Sequence, residues 1–167
     1  MNSEIYWIQD LSQGRLGTMA HPQGGGSLEP EVQEWKRAGI SVIASALTID
    51  EMTGLGLLEE PKLCEKYGVE FAHFPVLDRS VPHSLVEWTR FIERLRSSML
   101  DQKAIVAHCR MGIGRSSMIA LSILVAHGHS LDKALEFMIL ARRRPIPDTS
   151  EQLEWIAEFA KSLKGEL

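Results

Sequence analysis

Only two cysteines, Cys64 and Cys109, occur in the 167 residues. Two distant cysteines cannot build a disulfide framework, and no Cys-x-x-Cys pair or Cys/His cluster offers a metal site. That usage fits a reducing compartment. No apolar run approaches the roughly 20 residues that span a bilayer, so no membrane partner is expected. The opening MNSEIYWIQDLSQ has no basic stretch leading into an apolar one, so no secretory leader is read there and the expected location is the cytoplasm. An excess of positive charge is also missing: 18 Lys and Arg face 22 Asp and Glu, for a formal net charge of −4. A chain of that balance is a poor general binder of nucleic acid, and no such partner is expected. Internal repeats and low-complexity linkers do not occur.

What is present is an ordinary globular mix, 44% hydrophobic and 24% charged, long enough for one domain over residues 1–167 with a full core. IYWIQ (5–9) and RLGTMA (15–20) read as short strands around a turn. HPQGGGSLEP (21–30) reads as a glycine-rich loop, with Pro30 suited to the first turn of the helix EVQEWKRA that Gly39 stops. ISVIASAL (40–47) is a β-branched apolar run, as expected of a buried strand. Thr48 and Glu51 have capping-box spacing for a helical turn. A short helix EEPKLCEKY and a strand VEFAHF (69–74) follow, then the loop PVLDRSVP (75–82). In SLVEWTRFIERLRSSM (84–99), Leu85, Trp88, Phe91, Ile92 and Leu95 share one helix face. KAIVAH (103–108) reads as a strand and SSMIALSILVAHG as an apolar helix. Helices over 130–144 and 148–163 close the chain, the last capped either by Asp148 with Glu151 or by Thr149 with Gln152.

Strands alternating with helices predict an α/β fold, a single domain whose mostly parallel central sheet carries helices on both faces. Ligands of such sheets sit beyond the carboxyl ends of the strands. The loops 75–82 and 109–115 both follow strands, so both should open onto that edge.

The densest chemistry lies in HCRMGIGRS (108–116). Cys109 and Arg115 bracket five residues, and Ser116 follows. Gly112 and Gly114 let the backbone curl so that successive N–H groups, those of Arg110, Met111 and Ile113 included, point inward as an anion nest. A helix starting at Arg115 adds its positive end, and a guanidinium can clamp two phosphate oxygens. The same field favours a thiolate on Cys109, a nucleophile aimed at a bound phosphorus. Ser116 is placed to donate a hydrogen bond to the sulfur. His108 is expected to shape the loop through its ring N–H groups. A leaving alkoxide needs a proton, and Asp78, on the neighbouring loop, is the candidate acid; the plainer alternative is a turn residue between prolines. Asp101 precedes its strand and belongs at the opposite edge.

HCRMGIGRS resembles the active-site loop of the cysteine-dependent protein tyrosine phosphatase superfamily. FPVLDRSVP resembles the general-acid loop of its small dual-specificity branch, and RRRPIPDTSEQLEWI that branch's closing segment. The likeness runs from about residue 30 onward; MAHPQGGGSLEP is also similar to the substrate-side loop of small archaeal and bacterial phosphatases of this type. The resemblance implies a dual-specificity phosphatase-like fold, with Cys109 as nucleophile, Arg115 as phosphate clamp, Asp78 as acid and base, and Ser116 as thiolate partner. It implies a phosphorylated protein or peptide as substrate, phosphotyrosine first, with phosphoserine and phosphothreonine admitted by a shallow pocket. Two alternatives stand beside it: the same chemistry on a phosphoinositide or an RNA 5′ phosphate, and a phosphate-binding module without catalysis.

Ser116-Ser117 replaces the Thr-Gly of many relatives, and Arg110 stands where phosphoinositide-directed relatives carry paired lysines. For Gln152 two roles are open, helix cap and positioner of the hydrolytic water. His21, His73 and His83 read as surface or satisfied core residues, with His83 near enough to Asp78 in sequence to be watched. Cys64 reads as a packing residue or, less simply, a redox partner for Cys109. The arginines 142–144 read as a solvated helix end or a steering charge for anions. No cofactor or metal is expected, because the arginine and the amides supply the charge. A monomer is expected.

Overall fold

The computed structural model describes residues 3–165. Met1, Asn2, Glu166 and Leu167, which belong to the expected domain, lie outside the described residues. Among the described residues five strands form one sheet in the order β1-β2-β5-β3-β4. They are β1 (Tyr6–Trp7), β2 (Arg15–Met19), β3 (Ile40–Ser45), β4 (Glu70–His73) and β5 (Ala104–His108). Only the edge strand β1 runs antiparallel, against β2; the other pairs are parallel. The expected mostly parallel α/β sheet is therefore the fold found.

Among the described residues seven α-helices cover both faces: α1 (Leu28–Arg37), α2 (Ile49–Leu55), α3 (Glu60–Lys66), α4 (Leu85–Leu100), α5 (Arg115–Ala126), α6 (Leu131–Arg142) and α7 (Ser150–Leu163). Alternation along the strands feeds two cores. Val42, Ala44, Ile105 and Ala107 face Trp88, Ile92, Ile119, Leu121 and Phe159 of the α4–α7 layer. Ile40, Ile43 and Val106 face Val32, Trp35, Met52 and Cys64 of the α1–α3 layer. Helix α5 is buried through nearly its whole length, which is why its sequence is apolar on every side rather than striped.

Several boundaries differ from expectation, and β1 is confined to Tyr6–Trp7 within the strand expected over 5–9. Part of the glycine-rich segment is a 3-10 turn, Gly25–Ser27, that feeds α1 at Leu28, so Pro30 sits inside the first turn, where a missing N–H costs nothing. The strand expected over 40–47 stops at Ser45, and Thr48 caps α2 through the capping box with Glu51. Helix α6 ends at Arg142, because Arg143 takes a left-handed conformation with φ 56°. For α7 the open choice of cap resolves to Thr149 with Gln152. No helix among the described residues is long and apolar enough to cross a membrane.

Candidate active site

The site begins where β5 ends. His108 is the last strand residue and Arg115 the first of α5, so the loop Cys109–Gly114 lies at the carboxyl edge between the central strand and a helix N-terminus. Gly112 has φ 73°, and a Cβ there would lie 2.6 Å from the Met19 carbonyl carbon. A side chain at Gly114 would lie 2.9 Å from the Asp148 Cβ. The curl is held from outside as well: the Arg110 carbonyl accepts a hydrogen bond from the His21 N–H at 3.2 Å. The Gly112 carbonyl accepts from Arg142 Nε at 2.9 Å. Met111 is 65% exposed at the rim, and Ile113 lines the cavity.

Cys109 is buried, with its Sγ 3.3 Å from the Ser116 Oγ. Arg115, also buried, is gripped by four strong contacts. Its Nη1 donates to Glu51 Oε1 at 2.6 Å and to the Val76 carbonyl at 2.8 Å. Its Nη2 donates to Glu51 Oε2 at 2.9 Å and to Asp78 Oδ1 at 3.1 Å. The loops 75–82 and 109–115 thus meet at one guanidinium, and Asp78 lies beside the cysteine loop. A cavity of about 210 Å³ is bordered by Asp78, Cys109, Ile113, Arg115, Asp148 and Gln152. A larger hollow of about 530 Å³ bordered by Glu93, Arg96, His129 and Lys164 contains no cysteine.

Electrostatics reinforce the clamp. Burial works to strip the Arg115 charge, but the Glu51 hydrogen bonds and the surrounding negative groups outweigh it and raise its hold on the proton. Burial likewise works to raise the Glu51 carboxyl; the bonds from Arg115 and Thr48 overcome that and leave it below the usual carboxylate range. The rim cations are also paired: Arg110 lies 3.8 Å from Glu51, and Arg79 lies 2.8 Å from Asp148.

Glu51 was legible only as a helix cap, and its grip on Arg115 is the main addition to the site. Arg142 is a second. The expected solvated helix end does not hold for it, since it is buried, bonded to Gly112 and stacked 3.8 Å above the Tyr6 ring. His108 is a correction: its ring does not bond the loop. It reaches Glu60 of α3, Nε2 to Oε1 at 2.7 Å, in a wholly buried pair. Gln152 caps α7 and also donates from Nε2 to the Ser80 carbonyl at 3.0 Å. His83 pairs with Glu87 and stacks on Phe74; His73 and His21 bond the Leu47 and Pro22 carbonyls. Cys64 packs in the α1–α3 core while Cys109 belongs to the other. Burial first, and the Glu60 charge second, push the Cys64 thiol up to about 12, which makes it a packing residue.

Residues 16–129 match the family described as Tc-R-P, polymorphic toxin system, DSP-PTPase phosphatase. The chain belongs to this family. Among curated relatives, "Putative tyrosine phosphatase 197R" of Invertebrate iridescent virus 6 is 31% identical over 91 residues, 52% of this chain and 33% of the viral protein. The match therefore spans only a third of that relative's length. Cyclin-dependent kinase inhibitor 3 of Rattus norvegicus is 23% identical over 84% of this chain and 67% of its own. Kinase associated phosphatase, solved with its catalytic cysteine replaced by serine, superposes with a TM-score of 0.87 at 22% identity over 100% of this chain and 99% of that one. Tk-PTP in its active form gives a TM-score of 0.75 at 24% identity, covering 94% and 96%. These superpositions carry the fold of a DSP-PTPase; its chemistry rests on the family and on the residues above.

Proposed function

We propose that this DSP-PTPase hydrolyses phosphotyrosine in proteins or peptides, with phosphoserine and phosphothreonine as further substrates, through a phospho-cysteine. The observation that carries the reading is the meeting of Cys109, Arg115 and Asp78 around one small cavity, with the Ser116 hydroxyl 3.3 Å from the cysteine sulfur. The phosphate dianion seats on the loop amides and on Arg115, whose Nε makes no hydrogen bond among the described residues. Asp78 yields its Nη2 contact to a phosphate oxygen. The Cys109 thiolate then attacks phosphorus, the ester P–O bond breaks, and Asp78 gives its proton to the departing oxygen. In the second step Asp78 takes a proton from water. The water oxygen attacks phosphorus, the S–P bond breaks, and the Ser116 hydroxyl stabilises the thiolate that leaves. The Arg115 charge and the helix start supply the electrostatic stabilisation.

The rim favours a monophosphate over a polyanion. Arg79 and Arg110 each face a carboxylate, Asp148 and Glu51, so little uncompensated charge is left for a phosphoinositide headgroup or an RNA. One fold neighbour, PTPMT1, was crystallised with PI(5)P, which makes lipids a necessary arm of the test. A cytoplasmic monomer working without a cofactor completes the reading. Turnover of phosphopeptides, phosphoinositides and 5′-phosphorylated RNA should be compared directly, with vanadate as inhibitor. Asp78→Ala should slow a substrate with a poor leaving group by about 10²-fold or more and an activated nitrophenyl ester far less. Equal losses would remove Asp78 from the acid role.

A further inference from the structure

The acid loop is pinned on both sides of Asp78. Two residues before it, the Val76 carbonyl accepts from Arg115 at 2.8 Å. Two residues after it, the Ser80 carbonyl accepts from Gln152 Nε2 at 3.0 Å. Between them Arg79 takes a left-handed φ of 60° and reaches Asp148 at 2.8 Å. Gln152 is wholly buried, and its oxygen is spent: Oε1 accepts from the Asp148 N–H at 3.1 Å and the Thr149 N–H at 3.2 Å. Those two donors fix which end of the amide is oxygen, and the nitrogen then faces Ser80. With both oxygen lone pairs engaged, Gln152 has no acceptor left with which to orient a water.

We infer that Gln152 is a positioning residue for the acid Asp78, joining the first turn of α7 to the acid loop, rather than a positioner of the hydrolytic water. The inference rests on the phosphatase reading above. Arg79 and Asp148 complete the tie from the exposed side. Breaking it lets the loop drift from the cysteine and weakens proton delivery while leaving the nucleophile in place.

The decisive variant is Gln152→Glu. It keeps an acceptor for the Asp148 and Thr149 N–H groups ahead of α7 but loses the donor to Ser80, so the cap survives and the tie does not. Values of kcat/KM for a series of aryl phosphates report the first step alone. The expected result is a loss of about tenfold or more for phenyl phosphate, a fraction of what a general acid contributes, and a several-fold smaller loss for a dinitrophenyl ester. Arg79→Gln, on the exposed side where folding is not at risk, should show the same trend with smaller size. Thr149→Val, which removes the reciprocal cap bond alone, should leave the leaving-group dependence unchanged. A uniform loss across the series would overturn the inference. So would unchanged kcat/KM with lowered kcat and a burst of released phenol, the signature of a water-positioning role. A wild-type protein without turnover of any of these esters would overturn both the inference and the phosphatase reading.

Discussion

Glu51 holds Arg115 through both carboxylate oxygens, at 2.6 and 2.9 Å. The same carboxylate accepts the Thr48 N–H at 3.1 Å and closes the capping box of α2. One side chain thus fixes a helix start and the face that the guanidinium turns to the cavity. The end-on grip occupies one hydrogen of each η nitrogen and leaves the Nε edge for an anion.

Glu51→Gln should lower kcat/KM for every phosphate ester, because Arg115 loses its orientation toward all of them alike. It should also reduce stability by about 1.5–3 kcal/mol, the range for hydrogen bonds to a charged group. Acid should erase that stability difference. The folded-state carboxyl is held below its ordinary value of 4.5, so the folded protein binds fewer protons there than the unfolded chain. The stabilisation is complete above that value and drains away as pH falls through the lower folded-state one. Urea unfolding of both proteins between neutral and acid pH checks it; a constant difference would show that the Glu51 charge does not matter.

Gly112 of the cysteine loop and Gly26 of the 3-10 turn have unequal roles. Gly112→Ala meets Met19 backbone at 2.6 and 2.7 Å and needs φ 73°. It should cost about 1–2 kcal/mol of left-handed strain plus the backbone displacement, and it should abolish phosphate binding. Gly26→Ala has nothing within 4 Å of its new methyl and should be silent. Thermal melts with and without phosphate separate the two; equal behaviour would contradict the account of the curled loop.

The sheet, the cysteine loop and the place of the loop 75–82 beside it were legible because each is a local pattern. An apolar β-branched run ends at His108, glycines follow, and a helix starts at Arg115. The distant partners were not legible. Glu51 lies 64 residues from Arg115, and along the chain it reads only as the partner of Thr48. Glu60 and His108 lie 48 residues apart, and nothing local marks that glutamate as buried. Among three successive arginines, the one turned inward is decided by where α6 ends, since the left-handed Arg143 closes the helix and leaves Arg142 against Gly112. The 3-10 turn at Gly25–Ser27 was hidden by its glycines, which signal a loop more strongly than a helical turn.

The two thiols should behave oppositely. Cys64 is wholly buried and its thiol is pushed up to about 12, so iodoacetamide at pH 7–8 should leave it unmodified in the folded protein. Cys109, open to the cavity, should be the alkylated residue, and vanadate should protect it. Mild peroxide should give no Cys64–Cys109 disulfide. Peptide mass mapping reads all three results, and modification of Cys64 first would contradict the core placement.

The central claim is that Cys109 is the nucleophile of a phosphoryl transfer. The most direct measurement is turnover of p-nitrophenyl phosphate by wild type and Cys109→Ser, with vanadate binding measured on both. The serine variant should lose at least about 10⁴-fold, the scale seen when a nucleophile is removed, while the anion still binds at Arg115. Turnover by Cys109→Ser at the wild-type rate would contradict that claim.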